Sequence, residues 1–288
     1  MSTSGGGARK RRQTDATGTL VLVGGALSTD GEVFREFLDL VGKGQESSII
    51  GFTSASADVS GMAEYWKECF NSAGGNSCEI PIVETREQAS DPAVVGMVDK
   101  ADGIFLGGGD QVKLVSVLSG CPVGDAIRRA YERGAVICGT SAGAAALTET
   151  TLAGNELDEE GQLVAQYIGP GLGLLGFHTL IDTHFSQRRR LYRLFVAIAE
   201  YPELMGLGID EDTALIVRGE VGKVVGKGTV TFVDGRDVRF NNSAEMTEGR
   251  QLTLSALRVG VIGSNQSFNL RKRELVALLS SSHEWKPD

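Results

Sequence analysis

Short apolar runs alternate with amphipathic segments along the first half of the chain. The apolar runs are too short for buried helices and predict buried strands at 19–25, 48–52, 79–83, 103–106 and 135–138. Between them, apolar residues at helical spacing predict helices at 32–41, 63–73, 92–98, 112–118 and 124–133. This alternation predicts an α/β fold with a doubly wound, mostly parallel sheet flanked by helices.

The pattern changes in the second half of the chain. An acidic, turn-rich loop is predicted at 155–161, followed by strands at 179–185 and 204–209 with a helix at 186–200 between them. Three short apolar segments separated by glycine turns then predict an antiparallel β meander at 214–218, 221–225 and 229–233. A last helical pattern covers 270–279. We therefore expect a single α/β domain over 19–288, with a C-terminal antiparallel β appendage from about residue 214.

The first eighteen residues differ from the rest in composition. They are rich in Gly, Ser and charge, and no apolar stretch follows the basic cluster at 9–12. This composition predicts a disordered basic tail and not a secretory signal. A net charge of −9 argues against a nucleic-acid or anionic-membrane partner. No segment approaches the ~18 apolar residues of a transmembrane helix. We therefore expect a cytoplasmic protein.

Metal and cofactor chemistry have little support in the sequence. The four cysteines lack metal-site spacing, and Cys138 lies inside a predicted core strand. No Gly-x-Gly-x-x-Gly opens the first helix, and no Lys-Ser/Thr pair follows a glycine loop, as nucleotide sites would require. We expect neither a metal nor a cofactor.

The strongest chemical signal is Gly139-Thr140-Ser141-Ala142-Gly143, directly after the fifth predicted strand. This is the pattern of a nucleophile elbow, in which a sharp strand-to-helix turn exposes the serine hydroxyl. The N–H of Ala142 would then stabilise an oxyanion. The five-residue pattern alone does not exclude that Ser141 is only a helix cap.

A serine nucleophile needs a base and an orienting acid. The chain has three histidines, and His184 is the favoured base because it ends a predicted strand. His178 lies in a loop and His283 in the C-terminal tail. Asp210, Glu211 and Asp212 end the next predicted strand, and periodicity does not decide which of them meets His184.

Two further groups lie near the same predicted edge of the sheet. The glycine turn at 107–109 offers a second oxyanion donor, and Gln111 after it is able to hydrogen-bond a substrate amide. An arginine run follows His184 and suits a substrate carboxylate, although it is equally typical of an exposed helix face. Within the predicted helix, Arg189 and Arg193 would share one face.

Five motifs give the chain a family resemblance. They are Gly107-Gly108-Gly109-Asp110-Gln111, Gly139-Thr140-Ser141-Ala142-Gly143-Ala144, Asp182-x-His184-Phe185-Ser186-Gln187-Arg188-x-Arg190-x-x-Arg193-Leu194, Gly208-Ile209-Asp210-Glu211-Asp212-Thr213-Ala214, and the glycine-flanked segment 226–235. Together they resemble the cyanophycinases, serine peptidases of family S51 that are related to the aspartyl dipeptidases. The likeness extends from about residue 19 to about residue 235.

The resemblance implies a class I glutamine amidotransferase-like fold, a homodimer and a serine exopeptidase. Its substrate would be cyanophycin, a polyaspartate with arginine on each β-carboxyl, cleaved to β-Asp-Arg dipeptides. It implies Ser141 as nucleophile, His184 as base and Glu211 as acid. The oxyanion donors would come from Gly108, Gly109 and Ala142. The substrate-binding residues would be Gln111, Asp182, Thr183, Arg188, Arg190 and Arg193.

Two departures from the cyanophycinase pattern bear on specificity. Thr183 replaces the usual Gln, and Arg189 and Tyr192 replace the usual Gly, which we expect to bring both bulky side chains near the pocket. Two alternatives therefore remain. One is an isoaspartyl or aspartyl dipeptidase of the same family with a different substrate, and the other is a non-catalytic binding protein.

Overall fold

The computed structural model describes residues 18–42, 47–73 and 77–276. Of the predicted basic tail only Gly18 is among them, and His283 also lies outside them. The helices are α1 Glu32–Val41, α2 Val59–Ala73, α3 Pro92–Val98, α4 Gln111–Leu118, α5 Pro122–Arg133, α6 Ala142–Ala146 and α7 Leu191–Glu200, with 3₁₀ turns at Gln88–Ser90 and Ser243–Glu248.

The strands of the first half are β1 Thr19–Val23, β2 Ser48–Phe52, β3 Ser77–Glu79, β4 Gly103–Leu106 and β5 Val136–Thr140. Those of the second half are β6 Thr150–Leu157, β7 Leu163–Pro170, β8 Thr179–Thr183, β9 Met205–Ile209, β10 Thr213–Arg218, β11 Val221–Gly226, β12 Val230–Asp234, β13 Phe240–Asn241, β14 Leu254–Ser255, β15 Arg258–Ile262, β16 Ser267–Asn269 and β17 Glu274–Leu275.

The central sheet has the order β17-β16-β11-β10-β1-β5-β4-β2-β3. Its β1, β5, β4, β2 and β3 pair in parallel, and the remaining strands are antiparallel. Alternate residues of β1 face opposite sides: Leu20 and Leu22 join one apolar cluster, and Val21 and Val23 join another. Helices cover both faces, which confirms the predicted α/β fold with a mostly parallel sheet and extra C-terminal antiparallel strands.

A second sheet, with the order β15-β12-β9-β8, brings two strand ends to the edge of the first. Here β8 and β9 are parallel, and α7 packs on them, since Leu194 and Ile198 of the helix share an apolar cluster with Leu180 of β8. A backbone bond joins the sheets: the N–H of His184, after β8, donates at 2.7 Å to the O of Gly24, which follows β1. The ends of β1, β5, β8 and β9 therefore meet.

Several predicted elements are wrong, most of them in the second half. The three meander segments do not form one sheet, because β10 and β11 extend the central sheet while β12 pairs with β9 and β15. The acidic loop is partly strand, since β6 and β7 form a long hairpin. Residues 270–276 form a turn and β17, and the remainder of that predicted helix lies outside the described residues. The helix predicted from 186 begins at Leu191, and the strand predicted at 79–83 ends at Glu79.

Candidate active site

Ser141 lies at the apex of a sharp turn between β5 and α6. Its backbone has φ 53° and ψ −116°, a strained conformation for a non-glycine residue. A Cβ at Gly139 would lie 2.4 Å from Gly143 O, and one at Gly143 would lie 2.2 Å from Leu106 O. The turn therefore requires glycine at both positions. The N–H of Ser141 donates to Val23 O at 2.9 Å, which fixes the turn to β1.

His184 follows β8 directly and faces Ser141. Its Nε2 lies 2.9 Å from Ser141 Oγ, and its side chain is only 12% exposed. Its backbone has a left-handed φ of 51°, which the bond to Gly24 O holds in place. A Cβ at Gly25 would lie 2.3 Å from the imidazole ring, so a glycine here makes room for the histidine. Only His184 of the two described histidines contacts Ser141.

Glu211 completes the chain of side-chain hydrogen bonds. Its Oε1 lies 2.6 Å from His184 Nδ1. A carboxylate oxygen accepts, so Nδ1 of His184 is the donor to Glu211. The Ser141 hydroxyl donates to Nε2, which must then carry no proton. These contacts suit a neutral imidazole with its proton on Nδ1. The Glu211 backbone N–H donates to Gln187 Oε1 at 3.1 Å, which holds the acid beside the segment that carries His184.

The two acids flanking Glu211 are occupied elsewhere. Asp210 accepts from the backbone N–H groups of Ser186 and Thr229, each at 3.0 Å, and from the Thr229 hydroxyl at 2.9 Å. Asp212 accepts from the Ser28 N–H at 3.1 Å and pairs with Lys227 Nζ at 2.7 Å. Both therefore tie the turn to neighbouring loops, while Glu211 is the acid in contact with His184.

Hydrogen bonding keeps both flanking carboxylates ionised. Burial raises the pKa of Asp210, but the hydrogen bonds from Ser186 and Thr229 more than offset burial and leave that pKa below its usual value. Burial likewise raises the pKa of Asp212, and the contacts with Lys227 and Ser28 lower it overall. Charged Asp210 and Asp212 stabilise the folded turn that carries Glu211.

Two backbone N–H groups beside Ser141 are open for an oxyanion. Those of Ala142 and Gly108 donate to no atom in the described part of the chain. Gly108 lies against Ser141, because a Cβ built on it would be 3.3 Å from Ser141 Cβ. Gly109 has φ 139°, and a Cβ there would lie 2.1 Å from Ala55 O, so the turn also requires glycine at this position.

A cavity of about 90 Å³ opens beside the serine. All six predicted substrate-binding residues line it together with Ser141, Ala142, Ala145, Leu152 and Ile181: they are Gln111, Asp182, Thr183, Arg188, Arg190 and Arg193. Gln111 Nε2 donates to Leu152 O at 2.6 Å, which ties the cavity to the β6–β7 hairpin. The guanidinium of Arg188 pairs with no acid in the described residues and is exposed.

Asp182 differs from the other lining residues because its carboxylate is already fully used. Its side chain is 1% exposed, and it accepts from Arg190 Nη1 at 3.0 Å and from Arg193 Nε at 2.9 Å and Nη2. Burial lowers the pKa of Arg190, although Asp182 opposes that effect. Asp182 thus holds two guanidinium groups at the cavity wall.

The expectation that Arg189 and Tyr192 lie beside the pocket is wrong. Neither lines the cavity of Ser141. Arg189 is exposed in a left-handed turn with φ 53°, before α7 begins, so it cannot share a helical face with Arg193 as predicted. Tyr192 lines a separate cavity of about 310 Å³ with the β6–β7 turn. The side chains at these two positions therefore do not enter the cavity beside Ser141.

Comparison with known proteins supplies the family. A model of peptidase family S51 matches residues 20–225. The chain belongs to peptidase family S51. It is 32% identical over 248 residues to a cyanophycinase of Geminocystis herdmanii, covering 85% of this chain and 90% of the relative. It is 34% identical over 270 residues to a cyanophycinase of Nostoc sp., covering 92% of this chain and 90% of the relative.

Solved structures support the fold. A peptidase from an acI-B1 Actinobacterium superposes with a TM-score of 0.63 at 21% identity, covering 88% of this S51 chain and 98% of that one. A putative peptidase E protein from Listeria monocytogenes gives a TM-score of 0.50 at 20% identity, covering 73% of this chain and 98% of that one. With the family assignment, the chain is a serine peptidase.

The described residues contain neither a membrane-spanning helix nor a metal-binding cluster. No helix there has the length and apolar character needed to span a bilayer. The same residues contain no group of three His, Cys, Asp or Glu side chains able to hold a metal ion.

Proposed function

We propose that the chain is a serine exopeptidase that hydrolyses cyanophycin to β-Asp-Arg dipeptides through a Ser141–His184–Glu211 triad. The observation that carries this proposal is the continuous set of contacts from Ser141 Oγ to His184 Nε2 and from His184 Nδ1 to Glu211 Oε1, at 2.9 and 2.6 Å. Both distances are within hydrogen-bond range, as proton transfer between a nucleophile and its base requires.

In the first half of the reaction, Ser141 Oγ attacks the carbonyl carbon of the scissile peptide bond and its proton passes to His184 Nε2. The carbonyl oxygen becomes an oxyanion, which the N–H groups of Ala142 and Gly108 stabilise. Glu211 holds the ring and stabilises the imidazolium. His184 then gives its proton to the leaving amine nitrogen, the C–N bond breaks and an acyl-enzyme remains on Ser141.

In the second half, a water molecule attacks the acyl carbon and gives a proton to His184 Nε2. The ester bond to Ser141 Oγ breaks, and the proton returns from His184 to the serine oxygen. The products are a carboxylic acid and the free enzyme, so the cycle consumes one water for each peptide bond.

The charge of the cavity supports a substrate with a carboxylate. An arginine attached to a β-carboxyl through its α-amino group keeps a free α-carboxylate. The guanidinium of Arg188, which pairs with no acid among the described residues, offers this group a charge-assisted hydrogen bond. Arg190 and Arg193 line the same cavity. The relatives from Geminocystis and Nostoc are both named cyanophycinase, which agrees with this substrate.

The test is incubation with purified cyanophycin, followed by mass analysis of the products. The wild type should release β-Asp-Arg, and Ser141→Ala should lose at least ~10⁴-fold of the rate. Ser116→Ala, on the exposed side of α4, is the matched control and should retain full activity. Dipeptide release by Ser141→Ala at the wild-type rate would refute the proposal.

A second candidate is a β-aspartyl or aspartyl dipeptidase of the same family. It is favoured by Thr183, which lines the cavity where cyanophycinases carry Gln and is only 5% exposed. A threonine hydroxyl offers a substrate fewer hydrogen bonds than a glutamine amide. A panel of β-Asp and α-Asp dipeptides separates the candidates: cleavage of these without release of β-Asp-Arg from the polymer would favour the dipeptidase.

A further inference from the structure

A second cavity adjoins the catalytic one and has a different chemistry. It has a volume of about 260 Å³ and shares Gln111, Leu152 and Arg193 with the cavity of Ser141. The two cavities therefore lie side by side. The remaining lining residues come from the start of α4 and from the β6–β7 hairpin: they are Asp110, Val112, Ala153, Gly154, Asn155 and Gln166.

Gln166 supplies a buried acceptor without a partner. The residue is 1% exposed, and no hydrogen bond reaches its Oε1 from the described residues. Its amide is oriented because Nε2 donates to Gly154 O, and its backbone N–H is held by Glu200 Oε2 at 2.9 Å. A buried polar atom left unpaired costs stability, ~1–3 kcal/mol, and such an atom at a cavity wall is typical of a group that awaits a donor.

Two more acceptors lie around the same cavity. Asp110 caps α4 through Oδ1 alone, which accepts from Val112 N–H at 2.7 Å and Lys113 N–H at 3.3 Å. Its Oδ2 takes no hydrogen bond from the described residues. Asn155 pairs with Gln166 in the β6–β7 register, so both side chains lie on one face of the hairpin.

The charges of the two cavities are complementary to a substrate with two charged ends. Arg193 lines both cavities, and its Nε and Nη2 groups donate to Asp182, which it shares with Arg190. Asp110 is the one acidic side chain among the described residues that line the second cavity, and its Oδ2 is open there. Arg188 contributes an unbalanced positive charge to the first.

We propose that the cavity of Asp110, Asn155 and Gln166 is a subsite for a cationic side chain, a guanidinium above all. This inference rests on the proposed function, because the same substrate unit would present its carboxylate to the cavity of Ser141. A planar guanidinium has five N–H donors and is able to serve several acceptors at once.

The test measures binding and not turnover. Ser141→Ala protein is titrated with two dipeptides: β-Asp-Arg, and β-Asp-citrulline, whose urea has nearly the shape of guanidinium without its charge. Each titration is repeated in the Ser141→Ala background with Asp110→Asn. Asparagine is as good a helix cap as aspartate, so this substitution removes charge and keeps α4.

Asp110→Asn should weaken β-Asp-Arg binding by ~5–10-fold and leave β-Asp-citrulline within about twofold, because a hydrogen bond to a charged partner is the stronger one. Asp91→Asn is the matched control, since Asp91 caps α3 in the same way far from the cavity. It should change neither affinity.

Equal effects of Asp110→Asn on both ligands, no effect on either, or no binding of β-Asp-Arg to Ser141→Ala protein would overturn the subsite. Each of these outcomes is distinguishable from a failure of the proposed function. A wild type that hydrolyses no peptide while the charge-dependent loss appears would refute the hydrolysis and leave the subsite standing.

Discussion

Replacing Glu211 with Gln tests the orienting acid with little change in shape. The substitution keeps the length of the side chain and removes its charge. In the wild type, Glu211 Oε1 lies 2.6 Å from His184 Nδ1. A glutamine amide that presents its NH₂ group to Nδ1 favours a proton on Nε2, the nitrogen that must accept the proton of Ser141. We therefore expect a folded protein in which the neutral His184 carries its proton on Nε2 and cannot accept the proton of Ser141.

The size of the effect follows from exposure. In serine peptidases with a fully buried orienting aspartate, loss of its charge lowers kcat by ~10⁴-fold. The Glu211 side chain is 33% exposed, so solvent screens part of its charge and provides alternative donors. We expect kcat/KM to fall by ~10²–10³-fold, which corresponds to ~3–4 kcal/mol of transition-state stabilisation.

The assay is steady-state hydrolysis of a β-Asp-Arg polymer or peptide at a fixed pH, with thermal unfolding measured in parallel. Glu64→Gln, on the exposed face of α2, is the matched control and should retain wild-type kinetics. An activity of Glu211→Gln within threefold of wild type, with the unfolding temperature unchanged, would show that Glu211 does not orient His184.

Three further substitutions test other parts of the site. Gly25→Ala brings a Cβ to 2.3 Å from the His184 ring at a backbone φ of 100°, and should lower kcat/KM by at least ~10²-fold; wild-type kinetics would contradict the observed packing. Asp182→Asn frees two cavity-lining guanidinium groups and should raise KM ~10-fold with a smaller change in kcat, whereas an unchanged KM would show that Asp182 does not position them. Asp210→Asn should cost ~1–3 kcal/mol of stability at neutral pH, because an amide cannot accept at both ends. Since the folded-state pKa of Asp210 is lowered, its stabilisation is present above the usual pKa of ~3.9 and is lost as pH falls through the folded-state value. The unfolding temperature of the variant should therefore fall less than that of wild type when the pH drops below ~4. The same pH dependence of the unfolding temperature in both proteins would contradict this account.

Local pattern was sufficient for the first half of the fold and less so for the second. The parallel strands β1, β2, β4 and β5 are mostly apolar runs, which periodicity detects directly, whereas β3 is the short polar segment Ser77–Glu79 and was wrongly predicted at 79–83. The partners of β12 are β9 and β15, which are distant along the chain, so proximity in sequence wrongly suggested β11. The start of α7 was missed because Arg189 adopts a left-handed conformation with φ 53°, for which an arginine gives no sequence signal.

The site shows the same division. The Gly-x-Ser-x-Gly pattern predicted the elbow at Ser141, and the place of His184 at the end of a predicted strand favoured it over His178 and His283. Periodicity left three acids open, since the choice depends on what Asp210 and Asp212 bind across the fold. Gly25 gave a turn signal, but its contact with His184 joins residues far apart in sequence. The acceptors of Asn155 and Gln166 were missed because a hairpin brings them to the start of α4.

The central claim is that Ser141 is a nucleophile activated by His184. The most direct test is reaction with a fluorophosphonate, followed by peptide mapping and mass spectrometry. The account predicts a single adduct on Ser141, with slower labelling in Glu211→Gln and none at this position in His184→Ala. An adduct on another residue in a protein that still cleaves peptide, or equally fast labelling of Ser141 in His184→Ala, would contradict the claim.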